Sequence, residues 1–165
     1  MTSSMVTTKV RIPRDVSGWW FAIPLRRGGY VTALTARNKP STMMLVYPLD
    51  RHFQEIPQLH ELRSLVPSDC LPARVITCDH VRRGLWPLIH KHPDFSREAW
   101  PIPMYFRVPG IGPAFMTKRA EDNLAYWDNE VRYTPGSDPR EGDYPETLIG
   151  DSNVHDYFNR KFNPY

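Results

Sequence analysis

The sequence predicts an α+β fold that is rich in strands: a strongly bent antiparallel sheet or a partly open barrel, with two or three short helices. Three observations support this class. The 165 residues include 17 prolines, about twice the usual share, and proline interrupts long helices. The apolar runs are short and rich in β-branched and aromatic residues. Hydrophobic residues make up 41% of the chain, which argues against wholesale disorder.

The strongest local signal is a β-hairpin over residues 18–39, GWWFAIPLRRGGYVTALTARNK. Aromatic and branched residues on either side predict two strands, and Gly28 and Gly29 supply the positive-φ positions of a four-residue loop between them. Both faces of the first strand are apolar, so we expect it to be covered on both sides. Pro24 cannot donate a ladder hydrogen bond, which places that end of the strand at an edge or a bulge.

The remaining elements follow from similar patterns. Residues 42–47 form a continuous apolar run that predicts a buried strand. Leucines at spacings of three and four after Pro57 predict a short amphipathic helix that ends before Pro67. Next we expect a strand at 73–78, a helical turn that starts at Asp79 and ends at Gly84, and an extended run at 85–89 in which Trp86 is buried. Two further strands are expected at 104–108 and 114–118. The C-terminal part should contain a helix at 119–128, a weak strand at 130–133 and a helix from Ser152.

We expect one domain over residues 1–165, with a flexible N-terminus at residues 1–8 and a long acidic loop at residues 134–151. The N-terminus lacks the apolar stretch of a signal peptide, and no run approaches the roughly 18 apolar residues of a membrane span. The two cysteines, Cys70 and Cys78, are then expected to be reduced thiols. These features predict a cytoplasmic protein without a membrane partner.

The net charge of +3 hides an asymmetry along the chain. Residues 1–120 hold 17 Lys and Arg against 8 Asp and Glu, whereas residues 121–156 hold two Arg against ten acids. The acidic segment either folds back on the basic body, or is a solvated loop, or forms a partner-binding surface that steers association. The sequence leaves these interpretations open.

Residues that could carry catalysis or bind a metal are sparse. On a strand, His90 and His92 would lie on one face beside Asp94 and could start a metal site, but we predict a polar loop from His90 to Pro101 and favour two surface histidines. The chain has no phosphate-binding glycine loop and no spacing that ties Ser, His and Asp into a triad. We therefore predict no metal, no cofactor and no enzymatic activity.

Nucleic-acid binding is the alternative function. Arg26 and Arg27 top a hairpin flanked by Trp19, Trp20 and Tyr30, and small barrels with basic loops and aromatic faces bind single strands in this way. The acidic segment in the same chain would repel phosphate, so we expect nucleic acid to be an unlikely partner. The other interpretation of the two tryptophans is that they belong to the core.

Three motifs resemble the immunity protein 26 family of bacterial polymorphic toxin systems. Residues 21–25, FAIPL, followed by a glycine-bearing break and Tyr30, resemble the opening strands of that family. Residues 84–89, GLWPLI, are similar to its central Gly-x-Trp element, and residues 101–106, PIPMYF, to its proline-then-aromatic strand. The order and approximate spacing agree over about residues 17–108.

This resemblance implies a small cytoplasmic, non-catalytic protein that binds and neutralises a cognate toxin. The matched residues look like determinants of the fold, so the resemblance assigns no toxin-contact residues. A toxin that acts on nucleic acid tends to have a basic cleft, which an acidic surface can fill. On that ground we expect the toxin contacts at four acids of the long loop: Asp138, Glu141, Asp143 and Glu146.

Overall fold

Two sheets organise the chain, whose computed structural model describes residues 12–38, 43–107, 115–122, 124, 127–132, 144–145 and 151–162. The larger sheet has five antiparallel strands in the order β4-β3-β2-β1-β5 and is not closed. Its strands are β1 (Trp19–Pro24), β2 (Tyr30–Asn38), β3 (Met43–Pro48), β4 (Arg74–Thr77) and β5 (Leu88–Lys91). The predicted α+β, strand-rich class is confirmed.

The smaller sheet has the order β8-β7-β6-β9 and includes one parallel pair, β6 with β9. Its strands are β6 (Tyr105–Arg107), β7 (Phe115–Arg119), β8 (Trp127–Arg132) and β9 (Tyr144–Pro145). The described helices are α1 (Leu59–Leu62), α2 (Asp79–Arg82) and α3 (Asp151–Phe162), with a 3-10 turn at Pro67–Asp69. Within these residues, no helix has the length and apolar character needed to cross a membrane.

The predicted hairpin is confirmed as β1 and β2, with Trp20 opposite Leu34 and Pro24 opposite Tyr30. Five residues, rather than four, lie between the end of β1 at Pro24 and the start of β2 at Tyr30. The loop is closed by two bonds: the Leu25 N–H donates to the Gly29 carbonyl at 3.0 Å, and the Gly28 N–H donates to the Leu25 carbonyl at 3.1 Å. Gly28 and Gly29 have the expected positive φ angles, 94° and 78°. The pairing of β1 with β5 shifts register after Trp20 and reaches Phe21, so the Pro24 end of β1 lies beyond its neighbour on that side.

Alternation along the strands divides the core into two clusters, one on each face of the five-stranded sheet. Trp20 and Phe21 are neighbours in β1 and belong to different clusters, each fully buried. We call the clusters front and back. The front cluster includes Phe21, Ile23, Val31, Met44, Ile76, Trp86 and Phe158, and the back cluster includes Trp20, Leu34, Leu45, Tyr47, Leu62, Trp100 and Leu124.

The buried position of Trp86 is confirmed, since its side chain is 2% exposed. Its ring stacks on Phe21 with a centroid distance of 5.9 Å and on His80 at 4.7 Å. α2 begins after Cys78, one residue earlier than a cap at Asp79 would give, and Gly84 follows its end with a φ of 72°. The packing of this turn and of Trp86 closes part of the front face.

Two predicted helices differ from the structure. The leucine pattern over 57–66 yields only the single turn of α1, in which Leu62 is buried, while Leu59 is 39% exposed. The helix does not continue, because the Leu65 N–H donates to the Leu62 carbonyl only three residues back, at 3.2 Å, and the Val66 N–H donates to the Asp69 carboxylate at 2.9 Å instead of to a helical carbonyl. The predicted helix at 119–128 is wrong: β7 ends at Arg119, which pairs with Trp127 at the start of β8, so strand pairing overrides local helix propensity.

The C-terminal helix predicted from Ser152 is confirmed as α3, with Phe158 buried in the front cluster and Phe162 packed against that cluster. The predicted weak strand at 130–133 is part of the longer strand β8. Residues 1–8 and most of residues 134–151 lie outside the described part of the chain.

Candidate protein-interaction surface

The four acids predicted to contact a toxin, Asp138, Glu141, Asp143 and Glu146, lie outside the described residues. The described element that directly follows their segment is α3. This helix therefore marks where the acidic segment joins the folded body, and its contacts define the surface beside that junction.

Side chains of α3 complete the hydrogen bonding of the hairpin end that β5 leaves open. The His155 Nε2 donates to the Pro24 carbonyl at 2.9 Å, and the Arg26 N–H donates to the Asn159 Oδ1 at 2.7 Å. The Asn159 amide also donates to the His155 carbonyl at 2.7 Å, which fixes its orientation. Unpaired backbone groups are costly when buried, so these two side chains take the place of a neighbouring strand.

Ion pairs and ring contacts extend the docking of α3. Asp156 pairs with the Arg26 guanidinium at 2.6 Å, and Lys161 pairs with Asp50 at 2.5 Å. The hydrogen bond to Asp50 raises the pKa of the Lys161 ammonium above its ordinary value. Phe162 stacks on the His52 ring at a centroid distance of 5.9 Å. The helix thus contacts both the tip of the hairpin and the segment after β3.

The outward side of α3 lines a groove of about 520 Å³, formed by Asp156, Tyr157, Arg160 and Lys161. Tyr157 is 41% exposed, and the Arg74 guanidinium lies 5.8 Å from the centre of its ring. Arg160 is exposed and has no ion pair with any other described residue. An aromatic ring bordered by cations suits recognition of an anionic protein surface.

The imidazoles of His90 and His92 hydrogen-bond main-chain groups. The Nε2 of His90 donates to the Pro57 carbonyl at 3.1 Å, and the Nε2 of His92 donates to the Leu65 carbonyl at 3.2 Å. The Nδ1 of His92 accepts the Asp94 N–H at 3.2 Å, so both of its ring nitrogens are occupied. Among the described residues there is no cluster of three or more His, Cys, Asp or Glu that could hold a metal ion.

The two tryptophans of the hairpin lie in or against the core. Trp20 is fully buried in the back cluster, and Trp19 packs against the front cluster. Arg26 at the tip is paired with Asp156. Bases stack on exposed rings, so the interpretation of the tryptophan pair as core is the one that the structure favours.

The two cysteines have the properties of protonated structural thiols. Burial, with a smaller contribution from the Asp69 carboxylate, raises the pKa of Cys70 to about 12. Burial also raises the pKa of Cys78, although the nearby Arg82 opposes the shift. Because the thiolate is the reactive form, neither side chain is activated as a nucleophile at neutral pH.

A buried arginine at the end of β2 is an important contact that the sequence interpretation missed. Arg37 is 5% exposed and donates to the Trp100 and Arg97 carbonyls, both at 3.0 Å, while its Nε pairs with Glu121. These bonds fasten the central strand to the segment that carries Trp100. The only signal in the sequence is a charged residue within an otherwise apolar strand pattern, which does not reveal its partners.

Comparison with known proteins gives one family. A family model described as Immunity protein 26 matches residues 16–116. Comparisons with curated proteins and with solved structures give no match. The matched stretch begins before β1 and ends within β7, so it contains the whole five-stranded sheet, whereas α3 follows it in the chain.

Proposed function

The chain belongs to the immunity protein 26 family, and from this premise we propose that it binds and neutralises a cognate toxin protein of a bacterial polymorphic toxin system, without catalysis, in the cytoplasm. The observation that carries the proposal is the family match, which covers the sheet and its hairpin. The described chemistry agrees with a binding role: both cysteine thiols have raised pKa values, and His90 and His92 bond main-chain carbonyls.

The acidic segment is the part of the chain that we propose for toxin contact. Asp138, Glu141, Asp143 and Glu146 are opposed in their own stretch only by Arg140. A toxin that cleaves or modifies nucleic acid needs a positive cleft, and an acidic protein surface of this kind can occupy such a cleft and block it. Complementary charge would then speed association between the two proteins.

The first experiment is a protection assay with the toxin domain encoded by the neighbouring open reading frame. Induction of that domain should arrest growth, and co-expression of this chain should restore it. Binding of the two purified proteins should produce a stable complex by size-exclusion chromatography. A chain that neither binds the domain nor protects the cells would overturn the proposal.

The second experiment reverses the four acids to Lys and measures the association rate by surface plasmon resonance. We expect at least a tenfold lower rate at low salt and similar rates at high salt, because steering is screened. The matched control reverses four exposed acids elsewhere, Glu55, Asp79, Asp94 and Glu98, and so changes the net charge equally. Equal slowing of both variants would show that only net charge matters and that the acidic segment is not the contact.

A further inference from the structure

The two sides of α3 carry out different tasks. His155, Phe158, Asn159 and Phe162 recur at helical spacing and face the sheet, where Phe158 and Asn159 are almost completely buried. Tyr157 and Arg160 lie on the opposite side and are exposed. The side chain of Tyr157 hydrogen-bonds that of Lys161 while its ring stays exposed. Within the described residues Arg160 has no ion pair, so its guanidinium is available for another contact.

The charges around the outward groove are unevenly committed. Asp156 is paired with Arg26, and Lys161 is paired with Asp50, so both carboxylates of this neighbourhood already have a cation. Arg160 has no such partner within the described residues. Among the described residues that line the groove, the one charge without an ion pair is therefore the Arg160 guanidinium, which lies on the same side of α3 as the exposed tyrosine ring. Tyrosine and arginine are also the residue types enriched at the energetic centres of protein interfaces.

We infer that the groove formed by Asp156, Tyr157, Arg160 and Lys161 binds an acidic segment of a partner protein. The Arg160 guanidinium pairs with an Asp or Glu carboxylate, for which its planar fork is the matching donor. The Tyr157 ring packs against the methylene groups of the same side chain. This inference rests on the proposed function for the partner, which is the cognate toxin.

The acidic sequence at 134–151 and the basic groove on α3 would fix the orientation of a partner together. The segment at 134–151 is acidic and joins α3 directly, whereas the groove on α3 is basic. Paired patches of opposite charge fix the orientation of two proteins better than a single patch. The groove also lies beyond the matched residues 16–116, so it places recognition of the particular toxin outside the stretch that the family model covers.

The test uses a hexaglutamate peptide as the probe and the intact chain labelled with ¹⁵N. Titration at low salt should shift the backbone resonances of Tyr157, Arg160 and Lys161 in a saturable manner. Arg160→Glu should weaken the peptide at least fivefold, and Arg160→Gln should weaken it less. Arg63→Glu is the matched control, because Arg63 is exposed and this substitution changes the net charge by the same amount as Arg160→Glu. Thermal melts of every variant verify folding.

Other results would overturn the inference, or would show whether the groove or the proposed toxin-binding function is wrong. Equal weakening by Arg63→Glu, or shifts centred away from α3, would mean that the peptide responds only to net charge. Tighter binding of a hexathymidylate oligonucleotide at the same resonances would identify a nucleic-acid site instead. If Arg160→Glu loses the peptide but binds the toxin as the parent does, the groove is not a toxin contact. If the parent fails to protect cells while the peptide still binds, the proposed function fails and the groove remains.

Discussion

On the back face of the five-stranded sheet, Trp100 is 1% exposed and contacts the rings of Trp20, Tyr47 and His92. On the front face, α3 buries Phe158 to the same degree, but its ion pairs lie at the surface. We call the segment that carries Trp100 the back covering and α3 the front covering. The buried Arg37 bonds the back covering to β2, whereas the front covering adds exposed ion pairs to its buried ring. From this difference we expect the back covering to contribute more to stability than the front covering.

The largest expected effect is at Trp100. Trp100→Ala should destabilise the protein by about 3–5 kcal/mol, because it removes a buried ring from a cluster that cannot collapse to fill the space. Urea unfolding followed by circular dichroism measures this loss. A decrease in the free energy of unfolding of less than about 1 kcal/mol would mean that the back covering contributes no more to stability than an ordinary surface contact.

Phe158→Ala should cost less, about 2 kcal/mol, although its ring is equally buried. The reason is that α3 can detach locally, so the loss cannot exceed the free energy with which the helix docks. Hydrogen exchange should accelerate in residues 151–162 while β1, β2 and β3 remain protected. Global destabilisation as large as that of Trp100→Ala would show instead that the two coverings are equally integral to the fold.

The hairpin loop below α3 offers a paired test. An added Cβ at Gly29 would come within 2.1 Å of the His52 Nε2 and 2.6 Å of the Phe53 carbonyl, whereas one at Gly28 meets nothing within 4 Å. Both glycines have positive φ, so Ala costs about 1 kcal/mol or more at either position. We expect Gly29→Ala to cost at least about 1 kcal/mol more than Gly28→Ala, since His52 supports Phe162. Equal melting temperatures would contradict this contact.

The smallest expected effect is at the Arg26–Asp156 pair. Its side chains are 57% and 37% exposed, and exposed pairs contribute about 0.2–1 kcal/mol. A double-mutant cycle with Arg26→Gln and Asp156→Asn should give a coupling free energy below about 1 kcal/mol that falls further in 0.5 M salt. A coupling above about 2 kcal/mol would make this ion pair a main attachment of α3.

The sheet was predictable where the local pattern and the final environment agree. The glycines after Arg27, the apolar run at 42–47 and the alternation of Trp20 with Phe21 each indicate the structure that forms. The leucine spacing did not predict the length of α1, because that spacing carries no signal for the bond from the Val66 N–H to the Asp69 carboxylate, which replaces a helical hydrogen bond. The same holds for the rejected helix at 119–128, which strand pairing replaces.

The candidate surface was harder to predict than the fold. Arg26 and the tryptophans of the hairpin allowed a nucleic-acid interpretation, because the sequence does not reveal that Asp156 and Asn159, about 130 residues later, bind Arg26. The groove at Tyr157 and Arg160 depends on which side of α3 faces the sheet, and His155 and Phe158 decide this through their partners. The predicted contacts from Asp138 to Glu146 remain a proposal to be tested by charge reversal.

The bond from Arg26 to Asn159 joins residues 133 positions apart in the chain, and this separation has a kinetic consequence during synthesis. All five strands of the larger sheet are available once residue 91 has left the ribosome, but α3 extends to residue 162. At roughly 5–20 residues per second, the interval between these events is about 4–14 s. For that time the tip of the hairpin has no helix to cap it, so a nascent chain carries an uncapped hairpin before the groove on α3 forms.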